Sequence, residues 1–339
     1  MMQKRTLVGR TLSELKQLSQ ELGMPAFAGK QMCEWIYQKR VADFSDMTNI
    51  SKHNREKLSK ECEVGVVPPM HQVVSSDGTE KYLFRLHDGH TIETVYIPDR
   101  ERATLCVSSQ VGCKMNCLFC MTGKQGFQRN LTPAEIMNQI LAVPHSEQLT
   151  NIVFMGMGEP TDNLDSVLTV IDILTAAWGL AWSPKRITLS TVGIRKGVKR
   201  FLDESKCHLA VSLHAPDGRR ARYMPAEKAF PISDMIAMLR EYDFSHQRRL
   251  SFEYIMLREV NDSLEDAAKL SELLKGLDCR VNLIRYHAIP GISLQSSSDA
   301  VIEAFRDELN KRGVVATIRA SRGEDVSAAC GMLASQKGE

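Results

Sequence analysis

A chain of 339 residues is longer than one average domain and has room for a large core with a smaller domain beside it. Its 43% hydrophobic and 25% charged content is that of a soluble globular protein, and the lack of any run of about 18 apolar residues excludes a membrane-spanning helix. The formal net charge of +2 hides an uneven spread, since the first sixty residues hold eleven Lys and Arg against six Asp and Glu.

Nine cysteines, odd in number and unevenly clustered, do not make a secreted disulfide framework. The start MMQKRTLVGR has no signal-peptide core, so the expected location is a reducing cytoplasm. Residues 1–65 read as a small helical domain. Thr11 or Ser13 is placed to cap LSELKQLSQELG, whose leucines recur at three and four, and Gly23 and Pro25 end it. Met32, Trp35 and Ile36 form an apolar stripe in a second helix, and a more polar third helix is expected over 46–60. The exposed basic face of such a module suits phosphate contacts.

Residues 66–98 read as a β-hairpin linker with a period of two, turning at Asp77-Gly78 and Asp88-Gly89. Glu93 shares a strand face with Val95 and Ile97, and its residue pattern alone suggests a partly exposed sheet face. Residues 99–339 alternate strand and helix. The strands are ATLCVSS, TNIVFMGM, RITLST, HLAVSLH, LSFEYIML, RVNLIRYH and VVATIRA, with helical segments from PAEIMNQILAV to AVIEAFRDELNKRG between them. This alternation predicts an α/β fold built as a parallel barrel or partial barrel, with an open parallel sheet as the alternative. In a parallel barrel, ligands sit at the C-terminal strand ends. The later basic pairs, such as Lys185-Arg186, Arg219-Arg220 and Arg248-Arg249, divide evenly between a solvated surface and a phosphate footprint.

The stretch Cys113-Lys114-Met115-Asn116-Cys117-Leu118-Phe119-Cys120 places three cysteines in eight residues as CxxxCxxC. Tetrahedral zinc wants a fourth ligand nearby, and no His lies between His90 and His145. A [4Fe–4S] cluster held by three thiolates leaves one iron open for the amino and carboxylate groups of S-adenosylmethionine (SAM). A zinc site borrowing a distant ligand, or unrelated cysteines, are the competing readings.

This region resembles the radical-SAM superfamily. More narrowly, it resembles the RlmN/Cfr family of ribosomal RNA adenine methyltransferases, through CVSSQVGCKMNCLFC, RNLTPAEI, NIVFMGMGEP, ITLSTVG, VSLHAP, YIMLREVND, VNLIRYH and RGEDVSAACG in that order. The GMGEP and RGED forms lean toward the RlmN branch. The resemblance implies a partial (β/α) radical-SAM barrel beside a small N-terminal helical, RNA-binding domain. It implies that Cys113, Cys117 and Cys120 bind the cluster, and that Gly158, Glu159, Ser190, Ser212, Leu213 and His214 contact SAM. His287, in RYH, takes a SAM-contacting position at which other members carry Asn.

Two further cysteines gain roles from the resemblance. Cys330 takes a methyl group from one SAM, and the 5′-deoxyadenosyl radical from a second SAM removes a hydrogen from it. The carbon radical adds to adenine, and Cys106 releases the product by forming a disulfide with Cys330. Glu93 matches the proton acceptor, with Cys106 a competing base. The implied substrates are C2 of adenine 2503 in 23S rRNA and C2 of adenine 37 in tRNAs, with Cfr-type C8 methylation as the alternative. The expected partners are those RNAs and an electron donor such as flavodoxin, with the chain a monomer. Arg129, Arg195, Lys196 and Arg219 are candidate phosphate contacts. Two readings from other classes compete: an RNA-binding protein with structural zinc, and a radical-SAM enzyme of small molecules that leaves Cys106 and Cys330 idle.

Overall fold

The computed structural model describes residues 4–246 and 248–334. Its N-terminal domain opens with β1 (Arg5–Thr6). Thr11 then caps α1 (Leu12–Glu21) in a capping box, its hydroxyl accepting the Glu14 N–H while the Glu14 carboxylate accepts the Thr11 N–H at 2.7 Å. The second helix, α2 (Phe27–Cys33), continues as a π-helical turn over Glu34–Gln38. Met32 and Ile36 bury fully in it, and Trp35 donates its indole N–H to Asn49. The third helix starts later than its expected position. Ser51 caps α3 (Lys52–Glu61), and the chain before it forms a single 3₁₀ turn at Phe44–Asp46 headed by Asp43. β2 (Cys62–Glu63) pairs in parallel with β1 and closes the domain.

The next three strands, β3 (His71–Val74), β4 (Glu80–Arg85) and β5 (Thr91–Asp99), form an antiparallel meander around the two Asp-Gly turns. They are not a detached linker. β5 pairs with β6 (Arg102–Cys106), which starts the parallel part of the same ten-stranded sheet. A separate ribbon, β7 (Gln110–Gly112) with β8 (Phe127–Asn130), brackets the short α4 (Met121–Lys124).

From there strand and helix alternate as expected: α5 (Pro133–Ala142), β9 (Asn151–Phe154), α6 (Leu164–Thr175), β10 (Ile187–Thr191), α7 (Arg195–Glu204), β11 (His208–Ser212), α8 (Ile232–Leu239), β12 (Leu250–Met256), α9 (Leu264–Leu274), β13 (Cys279–Arg285), α10 (Asp299–Lys311) and β14 (Val315–Ile318). Strands β6 and β9 to β14 are parallel neighbours in sequence order, with fully buried residues such as Leu105, Ile152, Leu189, Val211, Phe252 and Leu283. The sheet curls into a partial barrel. Arg319, just beyond β14, reaches Glu253 on β12 at 3.2 Å and the Met155 sulfur beyond β9 at 3.5 Å. On a flat sheet β9 would lie five strand spacings of about 4.8 Å from β14, beyond the reach of any side chain. The C-terminal ends of the parallel strands therefore face a common mouth.

Candidate active site

A cavity opens at those strand ends, where ligands sit in a parallel barrel. Cys113, Cys117, Cys120, Gly158, Glu159, Ser190, Ser212, His214 and Cys330 line it together. Cys106 lies in an adjoining cavity with Cys330, and Cys120, Met155, Gly156, Arg319, Cys330 and Gly331 belong to both.

The three clustered thiols follow β7 and precede α4. Asn116 takes a left-handed conformation (φ 49°), and Cys120 donates its N–H to the Cys117 carbonyl at 3.1 Å, so the loop is tight. Burial pushes the Cys113 thiol up to about 12 and the Cys117 thiol well above its ordinary value, and the neighbouring thiols add to both shifts. A metal centre would reverse that protonation, because the ligand is the thiolate and binding releases the proton. Among the described residues no three His, Cys, Asp or Glu side chains converge on one ion position. Three thiols of one loop lining the same cavity suit a cluster, in which each iron takes a different thiolate.

Gly158 has φ 98°, and a Cβ there would lie 2.5 Å from the Gln110 Cβ. Only glycine lets β9 turn this close to the ribbon. Glu159, next in the chain, is 2% exposed. Its Oε1 accepts from the Thr161 N–H (3.0 Å), the Thr161 hydroxyl (2.6 Å) and the Thr191 hydroxyl (2.7 Å), and its Oε2 accepts from the Val192 N–H at 2.9 Å. Burial raises this carboxyl's pKa, and those four bonds offset only part of that rise. A carboxylate has about four acceptor positions. At about two per oxygen, Oε2, which accepts only the Val192 N–H, keeps one free for an ammonium group.

His214 (φ 58°) is also buried. Its Nδ1 accepts the Ile255 N–H at 3.0 Å, and its ring meets Phe119 edge-on at 4.8 Å. Burial, aided by Arg220, drops its pKa to about 3. The ring is thus neutral, with its proton on Nε2. Leu213 packs its side chain wholly into the core, leaving only backbone for a ligand. Arg220 holds this corner together: it pairs with Glu227 at 2.6 Å and donates to the carbonyls of Val192, Ser212 and Leu213.

Sheet register brings Glu93 toward the second pair of thiols. Cys106 pairs with Val95 on β5 and Val153 on β9, so Glu93, two residues before Val95, points to the same face. The residue pattern suggested a partly exposed carboxylate there, but Glu93 is 2% exposed because the C-terminal segment passes over it. Its oxygens take the Lys81 ammonium at 3.1 Å and the Ala334 N–H at 2.8 Å, while burial raises its pKa. Burial, reinforced by Cys330, pushes the Cys106 thiol up to about 12, and Arg319 opposes this. Burial also works against the Arg319 charge, but Cys330, Glu253 and Cys106 around it outweigh that and raise its pKa. His287 sits apart from the cluster cavity. It faces a neighbouring one that also contains Cys330, with its Nδ1 3.3 Å from Glu324.

The four candidate phosphate contacts divide. Arg129 is already held by Glu135 at 2.8 Å and by Asp88, and Arg219 by Asp217 at 2.8 Å and by Asp266. Their charge is largely neutralised within the protein. Arg195 and Lys196 are exposed at the start of α7, on the mouth side of β10, with Arg195 over the Phe230 ring. Sequence reasoning missed Arg319, Lys81, Thr161 and Thr191. Thr191 ends β10 and Arg319 lies just beyond β14, so the expectation that ligands sit at strand ends reaches them. Nothing local marks Lys81.

A partial parallel barrel whose mouth gathers CxxxCxxC thiols beside a glycine-turn carboxylate defines the radical-SAM class. A profile of the radical SAM superfamily matches residues 107–271, and one for the ribosomal RNA large subunit methyltransferase N-terminal domain matches residues 6–64. The chain is 60% identical over 338 residues to a "probable dual-specificity RNA methyltransferase RlmN" of Parabacteroides distasonis, covering 99% of this chain and 98% of that one. It is 42% identical to the dual-specificity RNA methyltransferase RlmN of Desulfotalea psychrophila, with 99% of each covered. The crystal structure of a radical SAM methyltransferase from Sphaerobacter thermophilus superposes with a TM-score of 0.92 at 39% identity, over 97% of this chain and 99% of that one. The chain belongs to the RlmN family of radical-SAM RNA methyltransferases. No helix of the described residues is long and apolar enough to cross a membrane.

Proposed function

We propose that this enzyme methylates C2 of adenine 2503 in 23S rRNA and C2 of adenine 37 in tRNAs, through a methyl group carried on Cys330. The supporting observation is that Cys106 and Cys330 line a cavity continuous with the one around Cys113, Cys117 and Cys120. A radical-SAM enzyme without a protein-bound carrier has no use for that second pair. Cys113, Cys117 and Cys120 would hold a [4Fe–4S] cluster, which supplies the electron that cleaves SAM to a 5′-deoxyadenosyl radical.

The chain's own residues do the rest. Glu159 and the Gly158 turn receive the ammonium of SAM, with Ser190, Ser212 and the His214 Nε2–H offering further polar contacts around the cavity. Cys330 takes the methyl group of one SAM, with S-adenosylhomocysteine as the leaving group, and a second SAM activates that carrier, giving two per turnover. The radical adduct formed when the carbon joins adenine would return one electron to the oxidised cluster, and Cys106 then attacks the Cys330 sulfur, releasing the methylated base and leaving a disulfide. Glu93 receives the adduct's proton, and the Lys81 contact favours its ionised form beforehand. The adenine leaves its stack to enter the mouth, at a cost on the order of a few kcal/mol that phosphate contacts from Arg195, Lys196 and the N-terminal domain offset. A cytoplasmic monomer reduced by a donor such as flavodoxin completes the reading.

The test is a nuclease digest of RNA modified by the reconstituted enzyme, resolved by mass spectrometry against 2-methyl- and 8-methyladenosine. The 2-methyl product is expected at both adenines. An 8-methyl product alone would move the enzyme to the Cfr-type reaction.

A further inference from the structure

Among the described residues, the segment that carries Cys330 contains only a single 3₁₀ turn, Glu324–Val326, yet it is pinned on both sides. Ahead of Cys330 it meets the turn between β3 and β4. There Asp77 accepts the Gly323 N–H at 3.0 Å and the Thr79 N–H at 2.9 Å. In return, Asp325 accepts the Ser76 N–H at 3.0 Å and the Ser75 hydroxyl at 2.5 Å. Each side thus gives a carboxylate to the other's backbone. The fit is close: Gly323 has φ 63°, and a Cβ there would lie 2.7 Å from the Ala328 Cβ and 2.9 Å from the Thr79 methyl. Burial works against the Asp77 charge, but Thr79, Gly323 and Ser75 together hold its carboxyl down to about 2. Beyond Cys330, the Gly331 carbonyl accepts the Met121 N–H at 2.8 Å, and the Leu333 carbonyl accepts the Thr122 hydroxyl at 2.7 Å. Cys330 itself is exposed between these two footings.

We propose that the reciprocal Asp77–Asp325 latch is a positioning device that fixes where the Cys330 thiol sits relative to Cys106 and the cluster loop. The proposal rests on the carrier reading of Cys330. A loop tied at both ends samples few thiol positions, and freeing one footing dilutes the thiol over many. The second footing stands on α4, directly after Cys120, so the latch sets the approach of the carrier from the opposite side. The β3–β5 meander thereby acquires a role in the reaction, although Asp77 and Asp325 touch no substrate.

The test uses the full chain with its cluster, equilibrated without oxygen in glutathione buffers. One glutathione disulfide oxidises the Cys106 and Cys330 thiols to their mutual disulfide and leaves as two glutathione thiols. Mass spectrometry of the cleaved chain gives the disulfide fraction, hence the effective concentration of one thiol toward the other. Asp325→Asn is expected to lower it about tenfold and Ser75→Ala about threefold, with iron content and circular dichroism unchanged. Because the two carboxylates serve one contact, Asp77→Asn combined with Asp325→Asn is expected to fall little below either alone. In turnover these variants lower kcat and leave the KM for SAM unchanged. Should Asp325→Asn fold poorly, Ser75→Ala, which removes a single hydroxyl, decides the matter. Wild-type disulfide fractions in the properly folded variants would overturn the latch. Retained methylation by Cys330→Ala, with the variants still lowering the disulfide fraction, would overturn the carrier reading and leave the latch standing.

Discussion

The two groups of active-site cysteines share one mouth but are built in opposite ways. Cys113, Cys117 and Cys120 come from one short loop whose backbone bonds are local, such as Cys120 N–H to the Cys117 carbonyl. Cys106 and Cys330 come from the first parallel strand and from the segment past the last one, and they meet because the sheet curls. The first group, the proposed ligand set, is one that a short peptide can encode. The second is a pair whose geometry depends on the whole barrel, on the β3–β4 turn and on the Glu93 and Lys81 contacts. Local spacing is enough to hold a metal centre, whereas a carrier that reacts at several points needs long-range anchorage.

The largest expected effect falls on the local group. Replacing Cys113, Cys117 or Cys120 by Ala should remove most of roughly four irons per chain and lower methylation at least about a thousandfold, read by iron assay and by tritium transfer from labelled SAM. Iron retained at wild-type level would detach that cysteine from the cluster. Next comes backbone accommodation at the carboxylate turn. Gly158→Ala, at φ 98° and against Gln110, should lose about 2–4 kcal/mol of stability in denaturant unfolding and weaken SAM binding.

The second group should answer to charge and pH instead. A Cys106 thiol held near 12 is mostly protonated at neutral pH, so its thiolate fraction rises about tenfold per pH unit below that value. The product-releasing step in rapid-quench kinetics should therefore speed up from pH 7 to 9 with a slope near one. Arg319→Met removes the neighbouring cation, so the same step should slow about tenfold at fixed pH, and a flat profile would exclude Cys106 as the attacking thiol. The smallest effect lies at the rim. Arg195→Glu with Lys196→Glu should reduce the slope of RNA affinity against salt by about one to two. Lys199→Glu, whose lysine already pairs with Asp203 at 2.7 Å, should change it less, and equal slopes would remove Arg195 and Lys196 from the interface.

The same contrast explains what could be read in the sequence. The parallel strands and intervening helices followed from period and punctuation, and the first helix's cap was narrowed to Thr11 or Ser13, because those signals are local. The grouping of Cys113, Cys117 and Cys120 at one cavity was legible for the same reason. Cys330 lay within SAACG and needed a family resemblance, since free cysteines are commonly just small buried residues. The burial of Glu93, the neutral charge balance at Arg129 and Arg219, and the Asp77–Asp325 contact were out of reach. Each is fixed by a partner distant in sequence, and no local period encodes such a partner. The meander's membership of the barrel sheet belongs to the same group, because hairpin signals specify the turn but not the neighbour of the outer strand.

The central claim is that the transferred carbon rides on Cys330 and is freed by Cys106. A Cys106→Ala enzyme with reconstituted cluster, incubated with SAM, reductant and a substrate RNA fragment, tests it most directly. Denaturing electrophoresis and mass spectrometry should find the RNA covalently joined through one carbon to the sulfur of Cys330, with little free methylated product. Free methyladenosine at the wild-type rate and no crosslink would contradict the account.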